Sequence, residues 1–265
     1  MALAWTTTQF VACAILILLA GVRLARYGDA IAARTGLGGT WVGLVMLASV
    51  TSLPELVTGA SAIVLHDLPD IAAGDAIGSC AFNLLILAVL DVRHPGFLSV
   101  RVHGGHVLPA AFGILLLGLV ALALQAGPSA PMAGWVALHS LGFIGVYAVA
   151  MRAIFTFERS RLTGMTGPHA DLSGRPTLRR AVVLYAVNAG VLAAAAMYLP
   201  GLASDLAAAT GLAQSVMGGL FVAAATSLPE AVVSAAAARA GALDMAAANL
   251  FGSNLFNVAV IGLDD

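Results

Sequence analysis

Lysine is absent from this 265-residue chain, and charge of either sign is scarce. Charged residues make up 9% of it, where soluble globular domains carry about 25%, and 60% of its residues are hydrophobic. An ordinary soluble enzyme is excluded. The twelve basic residues, all arginine, stand against thirteen acids for a net charge of −1, so no basic surface is available to hold nucleic acid. Only two cysteines are present, Cys13 and Cys80, both inside apolar stretches, which excludes a disulfide framework. The six histidines lack metal-ligand spacing. His103 and His106, in the run HGGH, have no further ligands beside them and mark a membrane interface instead. Gly36-Leu-Gly-Gly39 leads into an apolar run with no strand before it, so it is not a nucleotide loop. No bound cofactor is expected. What remains is an all-α polytopic membrane protein whose first partner is the lipid bilayer.

A spanning helix needs about 20 mostly apolar residues. The first apolar run starts at about Gln9 and ends at Arg23; without a signal-type cleavage site it is read as a span. Further spans are expected near 38–65, 71–90, 106–125, 132–151, 181–200, 212–238 and 245–263, eight in all. The turn signal Gly127-Pro128-Ser129-Ala130-Pro131 separates the fourth from the fifth. Arginines follow spans one, three, five and seven, and the other connections have none. The positive-inside bias puts that side in the cytoplasm and the N-terminus outside. The longest connection, 153–180, is polar and holds Pro168, Gly174 and Pro176. It reads as a solvated, headgroup-facing loop between a first half, 1–152, and a second half, 181–265.

The two halves share a repeat. Residues 47–60 read LASVTSLPELVTGA and residues 222–235 read VAAATSLPEAVVSA. Downstream, GSCAFN at 78–83 matches GSNLFN at 252–257. The first copy lies on the second span and its partner on the seventh, so the copies cross the bilayer in opposite directions. This is an inverted repeat, whose binding site is expected at the midplane where the copies meet.

The duplicated residues carry chemistry that lipid disfavours. Pro54 and Pro229 fall well inside their spans, where proline removes a helical hydrogen bond and frees a carbonyl in the preceding turn. Glu55 and Glu230 follow directly, and an acid at a helix centre costs roughly 2.5–3.5 kcal/mol on insertion scales. Thr51 precedes Glu55 by four residues and shares its helical face, and Thr226 stands likewise to Glu230. Hydroxyl, carbonyl and carboxylate oxygens at one depth suit a hard cation, Na+ or Ca2+. Ser79 and Asn83, and again Ser253 and Asn257, add hydroxyl and amide oxygens along one face, while Gly78 and Gly252 permit close helix approach. Taken singly, each serine is explained as helix glue; exact duplication around central acids favours the ion site. Asp75 lies four residues before Ser79 on the same face, and its repeat partner is Asn249. A cavity-lining role is favoured for Asp75, with an interfacial aspartate near Asp70 as the alternative. Cys80 reads as a small packing residue.

TSLPE and GSxxFN, present in both halves, resemble the alpha repeats of the cation/calcium exchanger superfamily, most closely those of prokaryotic sodium/calcium exchangers. The resemblance covers about 37–91 and 212–265 in detail. It implies an antiporter, not an enzyme, that exchanges Na+ for Ca2+ by alternating access in the plasma (inner) membrane of a prokaryote. Spans two, three, seven and eight would form its sites, with spans one and six as the mobile gating pair. By motif position the ligands would be the Ala48 and Ala223 carbonyls together with Thr51, Ser52, Glu55, Thr226, Ser227 and Glu230. Ser79, Asn83, Ser253 and Asn257 complete the set.

Three departures stand out. Asn257 occupies a position that is aspartate in many members, a charge that Asp75 is placed to restore in part. Val50 and Ala225 replace a glycine that often precedes TSxPE. The family has ten spans against the eight expected here, which predicts that the second half is incomplete. A calcium/proton antiporter of the same superfamily is the alternative reading, although such proteins usually show GNxxE in place of TSLPE. An intramembrane hydrolase using Ser79 or Ser253 would need a base. The one histidine inside a span, His139, has no duplicated counterpart. A non-transporting subunit is the third possibility.

Overall fold

A computed structural model describes residues 2–35, 48–93, 106–126, 132–133, 136–162 and 176–263. Its helices are α1 (Ala2–Thr35), α2 (Leu53–Val64), α3 (Pro69–Arg93), α4 (Val107–Ala126) and α5 (Leu138–Leu162). They continue with α6 (Leu178–Thr210), α7 (Gln214–Thr226), α8 (Leu228–Arg239) and α9 (Leu243–Leu263). Among the described residues six of these are long and apolar enough to cross a membrane, and the bent pair α7 and α8 is together long and apolar enough for a seventh. The expected span 38–65 runs partly over residues outside the described set. Its described part is the helical stretch 48–51 followed by α2.

Several boundaries differ from the hydropathy reading, each for a local reason. α1 continues past Arg23 to Thr35, because Leu24 and Ala25 keep a buried face beyond the first arginine. α6 runs through Pro200 to Thr210 and stops at Gly211, whose φ of 76° is the left-handed C-cap that glycine adopts without strain. Span five begins as helix only at Leu138. Ahead of it, Met132–Ala133 and Val136–Ala137 pair as a two-residue antiparallel ribbon.

The TSLPE segments break their spans where a kink was expected. Ser52 (φ −88°, ψ 10°) and Ser227 (φ −82°, ψ 3°) leave helical geometry, and each proline falls in the first turn of the next helix. There its missing N–H costs nothing. The axis turns by 44° between α7 and α8. The face expected to join Thr51 to Glu55 is thus interrupted at Ser52.

α1 and α6 pack lengthwise, with Ile17, Leu24, Leu192 and Leu199 fully buried. α9 is the most enclosed span, 72% buried along its apolar window against 17% for α4. The first is therefore core and the second a lipid-facing flank. α3 lies against α7 at backbone distance: a Cβ at Gly78 would sit 2.2 Å from the Gly219 carbonyl oxygen. α7 there is a π-helix, Met217–Val222. Contacts between helix ends fit spans of alternating direction. Arg34 Nε donates to the Pro176 carbonyl, and His106 pairs with Asp244 at 3.1 Å, all on the arginine side. At the opposite side His66 Nε2 lies 3.3 Å from the Met197 carbonyl.

Candidate cation site at the repeat interface

Every side chain singled out in the two motifs is buried. Thr51, Ser52, Ser79, Asn83, Thr226, Glu230, Ser253 and Asn257 show no measurable exposure, and Glu55, Asp75 and Ser227 show at most 2%. The breaks at Ser52 and Ser227 turn each TSLPE segment toward the other repeat. As a result the two copies exchange hydrogen bonds. Ser52 Oγ donates to Glu230 Oε1 at 2.9 Å, and Ser227 Oγ donates to Glu55 Oε1 at 3.2 Å. Ser253 Oγ adds a second donor to Glu230 Oε1 at 3.4 Å.

The threonines repeat this crossing one residue earlier. Thr51 Oγ1 donates to Asn249 Oδ1 at 3.2 Å, and Thr226 Oγ1 donates to Asp75 Oδ1 at 2.8 Å. Ser79 Oγ lies 3.3 Å from Thr226 Oγ1 and 3.5 Å from Asp75 Oδ1. Asn249 Nδ2 in turn donates to Ser234 Oγ at 3.0 Å. The duplicated glycines make this closeness possible. A Cβ at Gly78 would meet the Ala223 methyl at 2.7 Å, and one at Gly252 would meet the Ala48 methyl at 2.8 Å. Cys80 and Asn254 hold the same repeat position and also touch, Sγ to the Asn254 carbonyl at 3.7 Å.

Several polar atoms of the site have no protein partner among the described residues. Among the described residues, Glu55 Oε2, Glu230 Oε2 and both amide atoms of Asn83 and Asn257 are buried without a hydrogen-bond partner. Buried polar groups are almost always paired; the carboxylate and amide oxygens among these are the atom types that bind a hard cation. Neither glutamate makes an ion pair among the described residues. The expected carbonyls are engaged: Ala48 O accepts from Ser52 N (3.0 Å) and Thr51 Oγ1 (3.2 Å), and Ala223 O from Ser227 N (3.0 Å) and Thr226 Oγ1 (3.3 Å). The carbonyls that lose a helical donor to proline are those of Val50 and Ala225, four residues before Pro54 and Pro229. No group of three His, Cys, Asp or Glu side chains forms a conventional metal centre among the described residues. The donors are mixed carboxylate, hydroxyl and amide oxygens, as hard cations prefer.

This arrangement leaves little for the hydrolase reading. Ser79 and Ser253 bond to carboxylate and hydroxyl oxygens. His139 lies against Phe143 at the start of α5, with ring centroids 5.6 Å apart and the ring planes tilted by 51°. His103 and Gly36-Leu-Gly-Gly39 lie outside the described residues.

The family model described as sodium/calcium exchanger protein matches residues 5–156 and 180–263. The chain belongs to this family. Among curated proteins, the inner membrane protein YrbG of Escherichia coli is 26% identical over 83% of this chain and 66% of its own length. The putative antiporter CaxA of Alkalimonas amylolytica is 28% identical over 84% of this chain and 68% of its own. An uncharacterized membrane protein of Methanocaldococcus jannaschii is 27% identical over 82% and 67%. The chain thus spans about two thirds of the length of the curated relatives it matches. Two solved structures share the fold: the sodium-calcium exchanger NCX_Mj (24% identity, TM-score 0.61, 99% of this chain and 83% of that one) and the H+/Ca2+ exchanger CAX (16%, 0.73, 98% and 66%). The chain is a multi-pass membrane protein with the inverted-repeat exchanger fold.

Sequence reasoning passed over three features of the site. In the sequence Ser234 is indistinguishable from a helix-packing serine; in the structure it accepts from Asn249. Thr58 and Asn254 are also buried with an unpartnered oxygen among the described residues. Their one available signal was polarity on an otherwise apolar face. The π-helix left no signal beyond the pair Gly218-Gly219.

Proposed function

We propose that this exchanger moves Ca2+ against Na+ by alternating access, with the cations held between Glu55 and Glu230. The observation that carries the reading is the reciprocal pair of bonds, Ser52 to Glu230 and Ser227 to Glu55. Each glutamate is thereby shared between two oppositely directed repeats, while one oxygen of each stays without a protein partner. Two carboxylates cannot be left bare in a low-dielectric site. The empty carrier therefore crosses reluctantly, and uptake of one ion is tied to release of another. Thr51, Ser52, Ser79, Asn83 and their partners Thr226, Ser227, Ser253 and Asn257 supply the neutral oxygens, with the Ala48 and Ala223 carbonyls at the rim.

In this reading α1 and α6, packed lengthwise against each other, form the moving unit over the α2, α3, α8 and α9 core. The protein resides in the plasma membrane of a prokaryote, the arginine-bearing ends inside and the N-terminus outside. Exchange of Ca2+ for protons at the same glutamates is the second reading, favoured by the likeness in fold to CAX. Radiolabelled calcium uptake into vesicles separates the two. An imposed Na+ gradient should drive uptake and an imposed pH gradient should not; the reverse result overturns the coupling assigned here.

A further inference from the structure

Thr51 has one hydroxyl proton and two acceptors at equal distance. The Ala48 carbonyl, three residues back, and Asn249 Oδ1 on α9 both lie 3.2 Å from its Oγ1. The choice between them matters for the carbonyl. A peptide oxygen has two lone pairs, and Ala48 O already accepts from Ser52 N at 3.0 Å. A proton from Thr51 would fill the second; given to Asn249 instead, it leaves that lone pair for a cation. Thr226 faces the same choice in the other half. Asp75 Oδ1 at 2.8 Å stands against the carbonyls of Val222 at 3.1 Å and Ala223 at 3.3 Å. There the nearest acceptor is also a carboxylate, and a hydrogen bond to a carboxylate is the stronger kind.

The two acceptors differ in one respect. A carboxylate offers oxygen whichever way it turns, whereas an amide offers oxygen at one end and N–H at the other. Asn249 therefore has to be held. Its Nδ2 donates to Ser234 Oγ at 3.0 Å, four residues beyond Glu230 on α8, and both side chains are fully buried. In the aligned repeats Asn249 corresponds to Asp75, and Ser234 corresponds to Gly59. The half with the amide carries an anchor for it; the half with the carboxylate has no side chain at that position. We propose that Ser234 and Asn249 are positioning residues: Asn249, oriented by Ser234, takes the Thr51 proton and keeps the Ala48 carbonyl open to the transported cation. The inference rests on the exchanger reading above. Neither residue is itself a ligand. The amide oxygen of Asn249 is engaged by Thr51 and its nitrogen by Ser234, so the pair acts through Thr51.

The test is a set of double-mutant cycles read by radiolabelled Ca2+ binding to the purified full chain in detergent. Ser234→Ala should weaken calcium affinity by about threefold to tenfold, the range of one lost hydrogen bond. In a Thr51→Val background the same change should have no further effect, because without the hydroxyl the Ala48 carbonyl is free whatever Asn249 does. In an Asn249→Asp background it should again have none, since a carboxylate needs no anchor. A serine that only packs would weaken binding equally in all three backgrounds. That result overturns the proposal, and so does parent-like affinity in Ser234→Ala. Should Thr51→Val bind too weakly to measure, the Asn249→Asp cycle decides. Should Ser234→Ala fold poorly, Ser234→Cys keeps the volume with a weaker acceptor and should show the same pattern in milder form. Glu55→Gln keeps the two readings apart. If it binds Ca2+ like the parent, the exchanger reading fails; if it does not, while the Ser234→Ala loss persists in Thr51→Val, only the positioning role fails.

Discussion

The serines of TSLPE act on the glutamate of the opposite repeat, and this determines what their removal does. Ser52→Ala takes a donor from Glu230, and Ser227→Ala takes one from Glu55. A hydrogen bond to a charged group is worth about 1.5–3 kcal/mol, so each change should weaken the apparent calcium affinity by roughly tenfold or more. Glu230 keeps a second donor, Ser253. Ser52→Ala should therefore be the milder of the two. Calcium uptake measured against calcium concentration for both variants checks the order; a harsher Ser52→Ala would contradict the geometry. At this scale the identity of the site was legible and its wiring was not. Duplication of Glu55 and Glu230 was enough to single them out. The crossing of their partners depends on tertiary contacts between residues 172 and 178 positions apart, about which helical periodicity says nothing.

Among the elements, the sequence showed where the spans are irregular better than how. Pro54 and Pro229 announced a disturbance; the structure puts the break two residues earlier, at Ser52 and Ser227, because proline fits the first turn of a new helix. The ends of α1 and α6 were underestimated, since hydropathy marks where lipid ends and helices continue beyond it. The π-helix was invisible because no residue type demands it. Its packing makes a sharp prediction. Gly78→Val drives a side chain into the Gly219 carbonyl and Gly252→Val into Ala48, whereas Gly118 has nothing within 4 Å of a Cβ. Overpacking of this kind costs typically 1–3 kcal/mol, and more where backbone must move. Thermal unfolding in detergent should fall for the first two variants and hold for Gly118→Val. Equal tolerance at all three positions would mean that the helices stand further apart.

For the molecule as a whole, the one-sided arginines and the alternating helix-end contacts describe a single topology. Its absolute direction is a prediction. Asp67 is exposed on the arginine-free side and Arg239 lies at the end of α8 on the other. With the partly or fully buried Cys13 and Cys80 replaced by alanine, Asp67→Cys should react with a membrane-impermeant maleimide in intact cells, and Arg239→Cys only after lysis. Labelling in the opposite order would invert the assigned orientation. The central claim lies inside that topology: both duplicated glutamates hold the transported cation. The most direct measurement is sodium-gradient-driven calcium uptake into proteoliposomes by Glu55→Gln and Glu230→Gln, each of which removes a carboxylate and keeps its volume. Both variants should insert normally and transport no calcium. Uptake at the parent rate by either one would contradict the account.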